Sequence, residues 1–223
     1  MATNPAKPNV SGRAPRSAAP KPASNRAERA AERRAAIVEA ALEEFIASGF
    51  TATRLDDVAK RAGVAKGTIY LHFKDKETLF EELVRTAIVP LINRLTAPPS
   101  PSGSIRDALE GFARMFIQEV ATTRRGDIIR LIVAEGPRFP AVADFYYREV
   151  VSRGLAALRA LIEIGIARGE IRFPELARFP QIVVAPAMVA VIWKSLFERH
   201  SPLDANEMMR VHLDLIFGER SAS

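Results

Sequence analysis

The segment from Thr53 to Lys76, TRLDDVAKRAGVAKGTIYLHFKDK, constrains the fold more than any other part of this 223-residue chain. Four apolar residues at i, i+3, i+4 and i+7 predict a very short amphipathic helix: Leu55, Val58, Ala59 and Ala62. We expect the Thr53 hydroxyl to cap this helix and Asp56 to complete a capping box. Gly63 follows at once, where the chain must turn sharply and positive φ is favoured. A second short helix then completes a helix-turn-helix.

This second helix is predicted to present cations and hydroxyls to solvent. Its inner contacts are Val64 and Ile69, and its outward side chains are Lys66, Thr68, Tyr70 and His72. The first turn directs backbone N–H groups and the positive end of the helix dipole outward, and Gly67 permits close backbone approach. Such a surface suits base edges and phosphate oxygens in the major groove. For each residue alone an ordinary surface position at a helix corner is the favoured interpretation, but the joint pattern favours DNA.

Residues 29–88 resemble the N-terminal DNA-binding domain of tetracycline-repressor (TetR/AcrR) family transcription regulators. The resemblance is carried by a helix ending in Phe45 and Gly49-Phe50, and by the string AGVAKGTIYLHFKDKE. It implies a homodimer that places one recognition helix of each subunit in successive major grooves of a palindromic operator. One departure is Ala65, where a small hydroxyl residue is common in the family, so one phosphate contact is expected to be missing.

The candidate DNA contacts follow from the motif together with this resemblance. They are Thr53, Arg54, Lys66, Gly67, Thr68, Tyr70, Leu71, His72 and Lys76. Leu71 stands where a polar or aromatic residue is common in the family. We therefore expect it to contact a thymine methyl group rather than to donate a hydrogen bond.

The formal charge of +6 is concentrated at the N-terminus and is weak evidence for DNA binding by itself. Residues 1–27 contain five cations and no acid, and their richness in Pro, Ala, Ser and Asn predicts a disordered basic tail over 1–26. This tail is expected either to solubilise the protein or to touch phosphates.

The absence of cysteine excludes disulfides, thiolate zinc sites and a cysteine nucleophile, and fits a cytoplasmic protein. No apolar run is long enough to span a bilayer.

The periodicity predicts an all-α fold. A helix from about 26 to 48 ends at Gly49, and a longer helix opening at Lys76 should kink at Pro90. The segment APPSPSGS (97–104) marks a break. We therefore predict a three-helix helix-turn-helix domain at 27–76, a connecting helix at 77–96, and a helical effector-binding and dimerisation domain at 97–223.

The C-terminal region carries aromatic and methionine residues that predict either an apolar ligand pocket or simply a helical core. The candidate pocket residues are Phe112, Met115, Phe116, Phe145, Tyr146, Met188 and Trp193. Arg130, Glu135 and Arg138 either orient a polar ligand there or remain solvated.

The resemblance predicts dimerisation through the last two long helices, and the small-residue face proposed for it is Val183, Val184, Ala187, Val191 and Ser195. Packing of that face within the chain is the equally favoured alternative.

Nothing in the sequence favours an enzyme. The three histidines are scattered, no phosphate-binding glycine loop or GxSxG occurs, and no metal or cofactor is predicted. We expect a dimeric, cytoplasmic DNA-binding regulator, a repressor released from its operator by a small-molecule effector. The alternatives are a ligand-independent, DNA-organising protein and a helical module whose motif contacts protein.

Overall fold

The computed structural model describes residue 1 and residues 23–96 and 103–218, and these are almost entirely helical, without a strand. Residues 2–22, which make up most of the predicted tail, and most of the predicted break at 97–104 lie outside the described residues. Helix α1 already begins at Ala23, inside the predicted tail. None of the described helices has the length and apolar character that a bilayer crossing requires.

The first four helices form the predicted helix-turn-helix unit with its flanking helices. Their bounds are α1 Ala23–Ala52, α2 Leu55–Arg61, α3 Lys66–His72 and α4 Lys76–Ala87. Gly49 interrupts α1 with φ 73° and Gly63 follows α2 with φ 66°, as expected for glycines that must turn the chain. Asp75 caps α4 by accepting a hydrogen bond of 2.7 Å from the Thr78 backbone N–H.

The expected cap at Thr53 is wrong. Arg54 occupies the N-cap position of α2, and no side chain caps that helix. The Thr53 hydroxyl points backward and donates to the Gly49 carbonyl at 2.7 Å, and the residue is only 3% exposed. The Gly49 carbonyl also accepts from the Thr53 backbone N–H at 3.3 Å, so both donors of Thr53 close the end of α1.

The bend expected at Pro90 is present, but it divides the connecting helix in two. Helix α4 ends at Ala87, Ile88 has φ −110° and ψ −45°, and α5 runs over Val89–Leu95. Pro90 therefore lies in the first turn of α5, where its missing N–H has no helical acceptor to lose.

The described residues of the C-terminal part form six further α-helices. They are α6 Ile105–Phe116, α7 Arg125–Glu135, α8 Pro140–Tyr146, α9 Ser152–Ala167, α10 Gln181–Leu196 and α11 Ala205–Phe217. A π-helical turn, Ile117–Ala121, extends α6, and another, Tyr147–Val151, joins α8 to α9. The N-cap expected at Ser104 is confirmed, since its hydroxyl accepts from the Asp107 backbone N–H at 3.0 Å.

A cluster of phenylalanine rings lies at the centre of the N-terminal core. Phe50 stacks on Phe45 with ring centroids 5.3 Å apart and meets the edges of Phe80 at 5.8 Å and Phe139 at 4.6 Å. Phe139 belongs to the C-terminal part of the chain, and buried residues of α7 and α8 complete the same core. The predicted boundary between the two domains therefore does not separate two hydrophobic cores.

Arg106 ties the last helix to the rest of the C-terminal part. This buried guanidinium pairs with Asp214 of α11, donates to the Gly218 carbonyl at 2.6 Å, and contacts Glu110 at 2.8 Å. A buried cation is tolerated only when its donors are satisfied in this way. The contact fixes where α11 packs against α6.

Phe80→Ala should lower the free energy of unfolding by about 3–5 kcal/mol. The Phe80 side chain is 0% exposed, so its removal leaves a cavity in the core. Urea unfolding followed by circular dichroism measures the change. Phe173→Ala is the control, since Phe173 is 60% exposed and its truncation should cost less than about 0.5 kcal/mol. Equal losses in the two variants would contradict the assigned core.

Candidate functional site

Helix α3 is anchored by one residue and otherwise projects from the protein. Ile69 is its buried residue, whereas Leu71 is 85% exposed and Tyr70 is half exposed. Lys66 and Gly67 in the first turn are exposed, and Thr68 and His72 are partly so. The structure thus brings six predicted contact residues together on one seven-residue helix.

Asp56 of α2 holds two of these side chains. Its carboxylate accepts a hydrogen bond from the Lys66 ammonium at 2.7 Å and from the Tyr70 hydroxyl at 3.3 Å. The hydrogen bond from Lys66 lowers the pKa of the Asp56 carboxyl and raises the pKa of Lys66. Sequence reasoning misses this pairing, because the spacing from Thr53 assigns Asp56 to a helix cap.

Lys76 does not project from this surface in the way that its predicted DNA contact requires. Its ammonium donates to the carbonyls of Phe50 and Thr51 at 2.8 and 2.9 Å. It also lies 4.9 Å from the centre of the Phe50 ring and 5.4 Å from that of Phe139. Lys76 therefore caps the C-terminal end of α1 and joins it to the C-terminal part of the chain.

Residues 49–52 and Lys76 meet residues 135–139, and this contact is called the junction. Glu135 reinforces the junction. The Thr51 hydroxyl donates to the Glu135 carboxylate at 3.2 Å. Glu135 was a candidate for orienting a ligand, as were Arg130 and Arg138. Arg130 instead pairs with Asp127 on its own helix, and Arg138 is exposed.

A cavity of about 290 Å³ lies among α5, α6, α7, α9 and α10. Four of the predicted pocket residues line it: Phe112, Phe116, Tyr146 and Met188. Most of the remaining wall is aliphatic, with Leu91 and Ile92 from α5, Ile129 and Ile132 from α7, and Leu155 and Leu158 from α9 among its residues. Sequence reasoning missed these aliphatic residues, because periodicity predicts burial but not whether a buried side chain meets a neighbour or an empty space.

The other three predicted pocket residues lie elsewhere. Trp193 donates from its indole N–H to the Ser201 carbonyl at 2.6 Å and packs edge-on against Phe197. Phe145 is buried in the N-terminal core beneath the Arg85 guanidinium. Met115 packs in a separate small cluster with residues of α7 and α10. Phe145 and Met115 follow the core alternative, whereas Trp193 is partly exposed and belongs neither to the pocket nor to a hydrophobic cluster of the described residues.

The π-helical turns shape two walls of the cavity. Val120 comes from the turn after α6, and Val150 and Val151 come from the turn before α9. A π turn inserts an extra residue and rotates the side chains beyond it relative to a regular helix. Polar groups are scarce in this wall. Among the described lining residues, the polar side chains are those of Tyr146 and Gln181.

Four of the five residues of the face proposed for dimerisation are turned inward and follow the intrachain alternative, whereas Ser195 is exposed. Val191 is 0% exposed, Val183 and Ala187 are buried, and Val184 lines the cavity. A different set of apolar residues on α10 and α11 is left in solvent: Ile182, Val189, Ile192, Leu196, Val211 and Leu215. Monomeric proteins rarely expose so many large apolar side chains on two neighbouring helices.

Comparison with known proteins decides the family. Residues 37–83 match the model of bacterial regulatory proteins, tetR family, and residues 98–212 match that of the tetracyclin repressor-like C-terminal domain. The chain belongs to the tetR family. The second match alone covers more than half of the chain, and the first contains α2, the turn and α3.

Individual relatives agree with this tetR-family assignment. The transcriptional regulator YhgD of Bacillus subtilis is 32% identical over 176 residues, which cover 78% of this chain and 88% of YhgD. AcrR of Shigella flexneri is 48% identical over 54 residues, which are 24% of this chain and 25% of AcrR. The protein is accordingly a helix-turn-helix transcriptional regulator.

Solved structures of other proteins share the fold. Salmonella enterica GusR superposes with a TM-score of 0.67 at 22% identity, over 83% of this chain and 95% of GusR. SmeT, solved as a complex with triclosan, superposes with a TM-score of 0.70 at 16% identity, over 82% of this chain and 89% of SmeT. Among the described residues of this tetR-family chain, no cluster of three or more His, Asp or Glu side chains could hold a metal ion.

Lys66→Ala should raise the pKa of the Asp56 carboxyl toward its ordinary value, because the hydrogen bond that lowers it is removed. Carboxyl carbon shifts followed through a pH titration by NMR measure this directly. Arg172→Ala is the control, since Arg172 is an exposed cation in the C-terminal part of the chain and its removal should leave the titration of Asp56 unchanged. An unaltered titration in Lys66→Ala would contradict the contact.

Proposed function

We propose that this protein is a homodimeric repressor of transcription, acting in the cytoplasm, that leaves an inverted-repeat operator when a small molecule fills its cavity. The observation that carries the proposal is that a projecting recognition helix and an apolar cavity share one continuous packed structure. In this scheme residues 27–76 form the DNA-binding domain, and residues 97–223 bind the effector and the second subunit. Residues 77–96 connect these two domains. The boundary at 76 then separates two functions, but the two sides of it pack in one hydrophobic core.

The contacts that we propose for DNA are those that the fold leaves accessible on α3 and at the start of α2. They are Arg54, Lys66, Gly67, Thr68, Tyr70, Leu71 and His72. We assign Thr53 and Lys76 a supporting role instead, because the first is buried and the second is bound to carbonyls of α1. Asp56 holds Lys66 and Tyr70 in the free protein and releases them to phosphate oxygens when DNA binds.

The exposed apolar residues of α10 and α11 support a symmetric dimer. In a twofold interface the same patch of each subunit contacts its mate, so two helices from each chain form a four-helix bundle. Such an interface holds the two α3 helices at a fixed separation. Successive major-groove faces are about 34–36 Å apart, so this separation decides whether both helices can bind at once.

The junction supplies a physical route from the cavity to α3. Ile132 lines the cavity and lies three residues before Glu135, one turn earlier on the same face of α7. Glu135 holds Thr51, and Lys76 opens the helix that follows α3. A ligand that displaces α7 therefore changes the position of α1 and α4, and with them the spacing of the two recognition helices.

Selection of bound fragments from random DNA should yield an inverted repeat with half-sites about one helical turn apart. Lys66→Ala should then weaken binding to the selected duplex and reduce the salt dependence of the affinity, because a phosphate or base contact is lost. Fluorescence anisotropy at several salt concentrations measures both quantities.

Arg172→Ala is the matched control for that experiment, since it removes an exposed cation from the C-terminal part of the chain. It should bind like the unmodified protein. Recovery of fragments without a common sequence would instead favour a DNA-organising protein. Specific binding that survives Lys66→Ala unchanged would remove Lys66 from the interface.

Leu215→Glu should convert the dimer to a monomer, raising the dissociation constant by roughly 100-fold or more, because each subunit would bury an unpaired carboxylate. Leu215 is 75% exposed in the isolated chain, so the fold itself should be unaffected. Sedimentation velocity measures the oligomeric state. Ile46→Glu, on the exposed side of α1, should leave the dimer intact. Equal behaviour of the two variants would place the interface elsewhere.

A further inference from the structure

The chemistry of the cavity wall restricts the kind of effector that it can hold. Apart from Tyr146 and Gln181, the described lining residues are aliphatic, aromatic or sulfur-containing side chains and one glycine. No charged side chain of the described residues is among them. The nearby ions are engaged elsewhere: Arg130 pairs with Asp127, and Arg94 forms a two-pronged salt bridge with Glu119 at 2.7 and 2.9 Å.

An ionised group held among these apolar side chains, away from the exposed end at Gln181, would therefore be strongly disfavoured. A carboxylate or ammonium loses its hydration on entering an apolar cavity, and only a partner charge with further hydrogen bonds can compensate that loss. The described wall offers no such partner. Apolar ligand surface, in contrast, is stabilised roughly in proportion to the area that is removed from water.

Tyr146 provides a hydrogen-bond donor in this apolar surrounding. Its hydroxyl has no hydrogen-bond partner among the described residues, and burial raises the pKa of the phenol above its ordinary value. The phenol is therefore protonated at every physiological pH and able to donate. Tyr146 is partly buried and lines the cavity, so its hydroxyl can donate to an oxygen atom of a ligand bound there. Gln181 lies at the exposed end of the wall and is solvated.

The volume sets the size of the ligand. An apolar cavity of about 150 Å³ is large enough for benzene. The cavity of about 290 Å³ is therefore suited to a molecule of roughly two fused rings or a chain of roughly ten carbons. Gly154 contributes to this space, because a Cβ added there would meet the Ile92 methyl at an ordinary contact distance of 3.7 Å and a longer side chain would extend into the cavity.

We infer that the effector is an uncharged, largely apolar molecule of this size that carries one hydrogen-bond acceptor, and that Tyr146 donates to that acceptor. Neutral ketones, esters and ethers belong to this class, and free carboxylates and amines do not. Tyr146 is then the residue that distinguishes ligands with an acceptor from plain hydrocarbons. The release of DNA by such a molecule rests on the proposed function, whereas its binding in the cavity does not.

Four two-ring probes of nearly equal size test the ligand class by calorimetry with the full chain at pH 7.5. They are 2-acetylnaphthalene, naphthalene, 2-naphthoate and 2-naphthylmethylammonium. The neutral ketone should bind at least about 100-fold more tightly than either ion, because neither ion has a partner in the wall. Binding of 2-naphthoate as tight as that of the ketone, or failure of both neutral probes to bind up to their solubility, would overturn the inference.

Tyr146→Phe tests the hydrogen bond, since it removes the hydroxyl and keeps the ring. The affinity for 2-acetylnaphthalene should fall by about 3- to 10-fold while the affinity for naphthalene stays the same. Equal effects on both probes, or no effect on the ketone, would show that Tyr146 does not donate to the ligand.

Gly154→Leu and Val184→Phe locate the binding, because each fills part of the cavity. Both should abolish binding of the neutral probes, and circular dichroism establishes that each variant is folded. Binding that survives in a folded filled variant would place the ligand elsewhere and contradict the inference.

Adding the ketone to the complex of the protein with a selected DNA duplex separates the proposed function from the proposed ligand class. Binding of the ketone without release of the DNA contradicts effector control of the operator and leaves the ligand class intact.

Discussion

The architecture depends on how α1 ends. Gly49 turns the chain at φ 73°, which places Phe50 among the rings of Phe45, Phe80 and Phe139. The carbonyls that this kink exposes are bound by the Lys76 ammonium and the Thr53 hydroxyl. These contacts join α1 and α4 to the C-terminal helices in one core. The orientation of the recognition helix is therefore set by residues far along the chain.

Helix α3 illustrates why such support is needed. It has seven residues and one buried side chain, too few to be stable alone or to fix its own position. Its neighbours hold it through the Ile69 anchor and through Asp56, which contacts Lys66 and Tyr70. The same weak attachment leaves nearly all of its surface available to a duplex. Asp56 also accepts a hydrogen bond from Lys66, one of the proposed DNA contacts.

The cavity arises from the same residue types that fill the cores around it. Phe112 and Phe116 line the space, whereas Phe145 lies within the solid core, although all three are helical aromatic residues. What differs is the local helix geometry, because two π turns and a break at Ile88 prevent the surrounding helices from packing regularly. Irregular helices leave a gap that close packing would otherwise remove. Such a gap persists without a ligand only if it is apolar.

The sequence by itself determined the all-α class, the helix-turn-helix, the glycine turns at 49 and 63, and the residues displayed on α3, because these follow from periodicity and local backbone preference over short spans. Tertiary structure alone decided the roles of Thr53, Asp56 and Lys76, whose partners depend on how α1 ends and on how α1, α2, α3 and α4 pack. It also decided that Val183, Ala187 and Val191 face inward while Leu196 and Leu215 face solvent. A helix that is apolar on all sides carries no pattern to say which side packs within its own chain, so only the assembled fold could settle that question.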